Sequence, residues 1–409
     1  MNNRGGLFKL LSSNVLAQLL TVAVLPILGR TYSPQDFGQL GSVLALVSLT
    51  SVVIHGRYHM AIPVVNREST ARVLLQLALC CSALLCLPVT GLLWFVFGDT
   101  PDGMPLWHLL LLAASLSLAT AILDIFAYWR SRFQRFNVSA RNSVARSVST
   151  SAAQVALSPV GSSGLLLGTI AGTLLAVVLA LHDVAAHATR TWLWPSFKRM
   201  QAVARRFKTY PLFGVPQGWV AAVSWNALPL LLLRFDGTAV AGQYWVAYRL
   251  LVAPLSLFNG AYRQATLPKI RHASLQNVCA LVLKDSIRLL LLGGAPLLML
   301  FLLGDRLFEL LMGANWKMAG TIAGWLAIGI LGDLVKIPAL CLLQGQGNQR
   351  RILIWEVGIV LARYALAIPL LSHRLIIEAI ATFSGVGLAG WCIFVALELK
   401  FLKQRPTEK

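Results

Sequence analysis

VLLQLALCCSALLCLPVTGLLWFVF, residues 73–97, carries no charged side chain over 25 residues. At about 1.5 Å of rise per residue, a helix of that length is about 37 Å long. The hydrocarbon core of a bilayer is about 30 Å thick, so the stretch reads as a membrane-crossing helix. Its flanks agree: Arg72 stands on one side and the acidic, turn-rich GDTPDGMP (98–105) on the other.

Such runs recur along all 409 residues. The chain is 57% hydrophobic and 12% charged, with a mean hydropathy of +0.71. Soluble domains carry about 25% charged residues, and no gap between the runs holds a separate soluble domain. The net charge of +20 does not point to nucleic acid, which calls for a compact basic domain or stripe. Here the basic residues stand in short clusters between apolar runs. Cys80, Cys81, Cys86, Cys279, Cys341 and Cys392 lie in or beside apolar runs, without a CxxC pair or a Cys/His constellation. They read as small core residues, and neither metal nor cofactor is expected. The N-terminal MNNRGGLFKLL resembles a signal peptide, but no A-x-A cleavage site follows and Asn14 and Gln18 interrupt the run, so it reads as a retained first helix.

Twelve spans are expected, at about 9–29, 38–57, 73–97, 106–128, 142–158, 164–182, 213–233, 242–262, 286–303, 318–341, 352–372 and 375–399. With the N-terminus inside, 26 of the 35 Lys and Arg residues fall on the cytoplasmic side, 5 outside and 4 within spans. This sidedness orients the chain, and it tests the count, because losing one helix would invert every later loop. Both termini are expected in the cytoplasm.

Sliding the chain by 204 residues aligns 30–61 with a second stretch. Arg30, Gly38, Gln39, Leu46, Gly56, Tyr58 and Ala61 meet Arg234, Gly242, Gln243, Leu250, Gly260, Tyr262 and Ala265. The basic loop 183–212 then separates two six-helix halves, 1–182 and 213–399, with a tail at 400–409. Parallel repeats of this kind suit alternating access.

YSPQDFG (32–38), GRYHMAIP (56–63), LFELLMGANWKMAG (307–320) and LLQGQGNQRR (342–351) together resemble the polysaccharide transport family of the multidrug/oligosaccharidyl-lipid/polysaccharide (MOP) exporter superfamily. Within it the chain looks most like Wzx-type O-antigen and exopolysaccharide repeat-unit flippases. The resemblance implies an all-α polytopic fold of two six-helix lobes forming a V, in a bacterial inner membrane. It also implies a substrate, an oligosaccharide on undecaprenyl diphosphate, carried to the periplasmic leaflet for lipopolysaccharide or exopolysaccharide synthesis. Membrane lipid, a polysaccharide polymerase and a chain-length regulator are the implied partners. Lipid II flippases of the superfamily usually carry two further C-terminal helices, which this sequence does not show.

Moving a lipid-linked sugar needs no bond chemistry, so no catalytic residue is expected. It needs cations for the diphosphate, and the planar fork of Arg suits phosphate oxygens. Arg146, Arg249 and Arg363 lie within spans, where an ionisable group costs at least about 2.5–3.5 kcal/mol. Each is a substrate candidate, with snorkelling or pairing to an acid as the structural alternative. Trp245, four residues before Arg249, shares its helical face and suits a sugar ring. Arg57, at the inner end of the second helix, is placed to guide an anionic head group, or is ordinary inside charge. Asn14 and Gln18 share one face of the first helix, for sugar hydroxyls or for inter-helix bonding. Asp333 and Glu356 are the ion-coupling candidates; Asp333 is also placed to pair with Lys336, three residues on. The alternative function is a cation-coupled multidrug antiporter of the same superfamily, although cationic cavity residues would repel its substrates. A membrane polymerase or ligase would need a long outer loop with catalytic residues, and the longest outer loop has about 14 residues.

Overall fold

The computed structural model describes residues 4–97, 100–187, 196–271, 275–345 and 349–404, and every regular element among them is helical. The elements are α1 (Arg4–Thr31), α2 (Pro34–Ile54), α3 (Glu68–Phe97), α4 (Leu106–Arg132), α5 (Phe136–Ala156), α6 (Ser162–His187), α7 (Phe197–Arg206), α8 (Val215–Asn226), α9 (Leu228–Asp236), α10 (Thr238–Arg271), α11 (Leu275–Met312), α12 (Lys317–Val335), α13 (Ile337–Gly345), α14 (Gln349–Ser372) and α15 (Ile376–Gln404). An all-helical chain is what a bilayer requires of open-ended segments, since a helix satisfies its own backbone polar groups.

Eight helices among the described residues are long and apolar enough to cross a membrane, and a bent pair makes a ninth. The chain is a multi-pass membrane protein. The other three expected spans, 9–29, 142–158 and 242–262, are also helical, as α1, α5 and α10. The helix expected over 213–233 is not continuous. It bends by 41° between Asn226 and Leu228. Pro229 stands at the start of α9, lacks an N–H, and crowds the carbonyl four residues earlier. Pro26 and Pro296 lie inside helices that continue through them.

The chain divides into two compact units, Met1–Gly242 and Gln243–Lys409. In the first, α2 is the hub, packing on α3, α4, α6, α8 and α9. Its start is set by a capping box, in which Ser33 accepts from the Asp36 N–H while the Asp36 carboxylate accepts from the Ser33 N–H. In the second unit α12 is the hub, packing on α11 and α15, with α14 against α15.

Two of the repeat glycines meet in the first unit. A Cβ on Gly242 would lie 1.9 Å from the Pro34 carbonyl oxygen, and one on Gly38 would lie 1.9 Å from that of Thr238. Only hydrogen fits, as in small-residue helix crossings in membranes. The repeat glutamines make matching bonds. Gln39 Nε2 donates to the Asp102 carbonyl at 2.7 Å, and Gln243 Nε2 donates to the Asn315 carbonyl at 2.6 Å. Each glutamine, near the start of its helix, thus holds a turn between two later helices of its own unit. Thr238 reinforces the first turn, donating to Asp102 Oδ2 at 2.8 Å and accepting from the Asp102 N–H at 2.9 Å.

Gly242→Ala is expected to cost about 1–3 kcal/mol, because backbone must move to admit the methyl. Gly294→Ala, where a Cβ meets nothing within 4 Å, should leave stability unchanged or raise it through helix propensity. Thermal unfolding of the two detergent-solubilised variants checks this pair.

Candidate functional site

The first unit holds an open cluster of cations. Just past the end of α2, Gly56 and Arg57 both lie in the left-handed region at φ 53° and 57°. Glycine takes that conformation freely; arginine pays for it, which marks the position as functionally interesting. The turn lays Arg57 over the start of α8. A Cβ on Gly218 would fall 1.6 Å from Arg57 Nη2, and one on Gly214 would fall 3.5 Å from Arg57 Cβ. Gly214 and Gly218, four apart, form a side-chain-free seat for the arginine.

Arg57 is half-buried and stands beside His55, His59 and Tyr128. Its N–H donates to His55 Nδ1 at 3.3 Å, and Nη1 lies 3.5 Å from Met60 Sδ. The His55 and His59 rings meet at 4.1 Å, and His59 meets Tyr128 at 4.7 Å. One turn before Tyr128 on α4 stands Asp124, exposed, with Arg146 of α5 and then Arg57 as its electrostatic partners. Two arginines thus face one carboxylate. Next to Arg146, Ser147 joins α5 to α1 by donating to the Ala17 carbonyl at 2.7 Å and sharing a hydrogen with Thr21 at 2.8 Å. Half-buried Gln18 follows Ala17 on α1. The side chain of Asn14 lies outside the described residues.

The second unit holds a closed cluster in which charge balances. Arg363 of α14 has no exposed surface. Its guanidinium carbon stands 4.8 Å from the centre of the Phe383 ring, and a Cβ on Gly387 would fall 1.7 Å from its Nη2. Asp333 is its first electrostatic partner, with Tyr364 and Tyr244 beyond. Asp333 also takes Lys336 Nζ at 2.6 Å, while Lys336 lies 4.0 Å from the Trp391 ring centre. Half-buried Glu356, two turns before Arg363, faces Lys336 and Asp333. Two cations therefore meet two acids. Arg249 of α10 is stacked over Trp245, its guanidinium carbon 4.8 Å from the ring centre.

The structure thus gathers Arg57 with Arg146, and Arg363 with Asp333 and Glu356, while Arg249 keeps its own aromatic. Sequence reasoning did not single out Asp124, His55, His59 or Tyr128 as site residues. Two signals were legible: His55 and His59 are four apart, as are Asp124 and Tyr128. Among the described residues, no group of His, Cys, Asp or Glu is arranged to hold a metal ion.

A family model described as polysaccharide biosynthesis protein matches residues 4–273. The chain belongs to that family. A search of curated protein sequences finds no match. Among solved structures, the lipid II flippase MurJ in an inward closed conformation is similar, with a TM-score of 0.75 at 13% identity, covering 96% of this chain and 87% of that one. A multidrug resistance MATE family transporter of the MOP superfamily is similar in its inward-facing conformation, with a TM-score of 0.60 at 13% identity over 95% of this chain and 99% of that one. The outward-facing conformation of such a transporter gives a TM-score of 0.58 at 14% identity over 99% and 98%. These likenesses establish the fold.

The aromatic packing around Arg57 has a pH consequence. Burial, with the Arg57 charge second, pushes the His59 imidazole down to about 4 from 6.5. The unfolded chain therefore takes up a proton near pH 6.5 that the folded protein refuses. Stability is full above about pH 6.5 and is expected to fall by up to about 3 kcal/mol as pH drops towards 4. His59→Gln should lessen that loss in unfolding midpoints measured from pH 7.5 to 4.5, with the neighbouring buried His55 left to contribute the rest.

Proposed function

We propose that the protein is a flippase for lipid-linked oligosaccharides, moving undecaprenyl-diphosphate-linked repeat units from the cytoplasmic to the periplasmic leaflet of a bacterial inner membrane. The observation that carries this reading is the cluster of the first unit, where, among the described residues, Arg57 and Arg146 face one carboxylate, that of Asp124. Such a site holds an excess of positive charge, and a diphosphate is the kind of anion that uses it. Membership of a polysaccharide biosynthesis family supports the sugar cargo, and the fold shared with a lipid II flippase supports a lipid carrier. Within the first unit, half-buried Gln18 offers an amide to sugar hydroxyls.

The work is done by alternating access of two six-helix lobes, 1–182 and 213–399, across twelve spans with both termini in the cytoplasm. The positive-inside distribution of Lys and Arg supports that arrangement. The balanced cluster of Asp333, Lys336, Glu356 and Arg363 suits ion coupling, since changing one charge there unbalances the rest. A multidrug antiporter is disfavoured, because organic cations would meet Arg57 and Arg146. The product would pass to a polysaccharide polymerase and a chain-length regulator.

Deletion is expected to trap undecaprenyl-linked repeat units inside and abolish surface polysaccharide; normal surface polysaccharide in the deletion strain overturns the reading. Arg57→Ala should fail to restore export, and Arg57→Lys should restore part of it. Gly218→Ala should lower export with little loss of protein, because the methyl displaces only the flexible end of Arg57.

Glu356→Gln keeps shape while removing a charge. It is expected to abolish the dependence of export on the membrane proton or cation gradient, with the unfolding midpoint near that of the wild type. Gradient-dependent export in that variant would remove Glu356 from coupling.

A further inference from the structure

The second unit contains a cavity of about 690 Å³ between α10, α11 and α12 that neither cation cluster uses. GGAP, 293–296, lies along its α11 wall, where Gly293 and Pro296 are lining residues. Gly293 backs onto Leu334 of α12, where a Cβ would fall 2.6 Å from the leucine methyl. Among the described residues that line it, all are apolar except Arg306. Arg306 is exposed, and its guanidinium makes no ion pair among the described residues. The neighbouring Asp305 carboxylate accepts instead from the Arg306 backbone N–H at 2.8 Å.

The dimensions choose between lipids. From Arg306 to Leu289, at the far end of the cavity, is 17 residues of helix, or about 25 Å. A phospholipid acyl chain serves one leaflet, half of the hydrocarbon thickness, or about 15 Å. It would leave the deeper part of the groove empty. One groove with one cation also matches a lipid with one chain and a phosphate head better than a two-chained lipid.

We infer that this groove seats the single long hydrocarbon chain of a polyisoprenyl phosphate, with the phosphate on Arg306. The inference rests on the flippase reading and adds to it a second lipid site, separate from the Arg57 cluster. The site holds the carrier's tail along α11 and engages its phosphate at the end of the helix nearest the turn into α12. An arginine–phosphate bond has the strength of a charge-assisted hydrogen bond, so its loss should be readable as about a tenfold change in binding.

The test uses purified full-length protein and native mass spectrometry, with undecaprenyl monophosphate as the ligand and phosphatidylglycerol as the competitor. Measurements are made in the Arg57→Ala background so that the other cluster is silent. Undecaprenyl monophosphate is expected to be retained over phosphatidylglycerol. Arg306→Glu and Leu297→Trp should each lower its retention about tenfold. Arg306 is exposed, so its substitution keeps the test valid should Leu297→Trp misfold. Equal retention of both lipids, or retention indifferent to both substitutions, overturns the proposal. Binding is read on protein and export in cells, so the two readings fail separately. Lost surface polysaccharide on deletion, with retention indifferent to both substitutions, sinks the groove alone. Retention that responds to both, with normal polysaccharide on deletion, sinks the flippase reading alone.

Discussion

Arg363 carries a full charge and has no exposed surface. A buried charge is tolerated only where an opposite charge and polar neighbours replace the water it has lost. Much of the second unit is arranged to meet that demand. α12 supplies Asp333, α15 supplies the Phe383 ring and the gap at Gly387, and α14 carries the arginine itself. Lys336 and Glu356 extend the set to two charges of each sign, with Lys336 further held over Trp391. Removing Asp333 would leave the buried charge of Arg363 without its first opposite partner, whereas Glu356, half-buried at the edge of the set, can lose its charge at smaller cost.

The first unit solves the same problem differently. Among the described residues, Asp124 is the acid that Arg57 and Arg146 face, and that carboxylate is exposed. Excess positive charge is tolerable because the cluster is open rather than sealed. Its geometry is nonetheless tightly held. A left-handed backbone at Arg57, a glycine seat at Gly214 and Gly218, and a stack of His55, His59 and Tyr128 leave the arginine few other positions. The two clusters differ in charge balance among the described residues, which suits them to different tasks.

Glycine recurs wherever the chain comes close to itself. Lipid tails are as apolar as leucine, so helices in a bilayer gain from contact area and close approach rather than from escaping water. Gly38 and Gly242 permit backbone contact, and Gly218 and Gly387 make room for guanidinium groups. The matching bonds of Gln39 and Gln243 to the turns at Asp102 and Asn315 show the internal repeat as shared chemistry, beyond shared letters.

The sequence by itself determined that the chain is helical, where most helices run, how the positive charge is sided, and which family it resembles. The physical reason is that a bilayer couples composition to place: twenty apolar residues in a row have one inexpensive location, and lysine and arginine keep to one side. Helix spacing also made some pairs legible, such as Asp333 with Lys336 and Trp245 with Arg249. Other partnerships were decided only by tertiary structure. Asp124 meets Arg57 and Arg146 across 67 and 22 residues, and Gly387 receives Arg363 from another helix. The bend at Pro229 and the groove lined by Gly293 and Pro296 belong to the same class. Hydropathy ranks a residue by its own cost of burial, whereas these features depend on which helices come together, and sequence spacing within one helix does not contain that information.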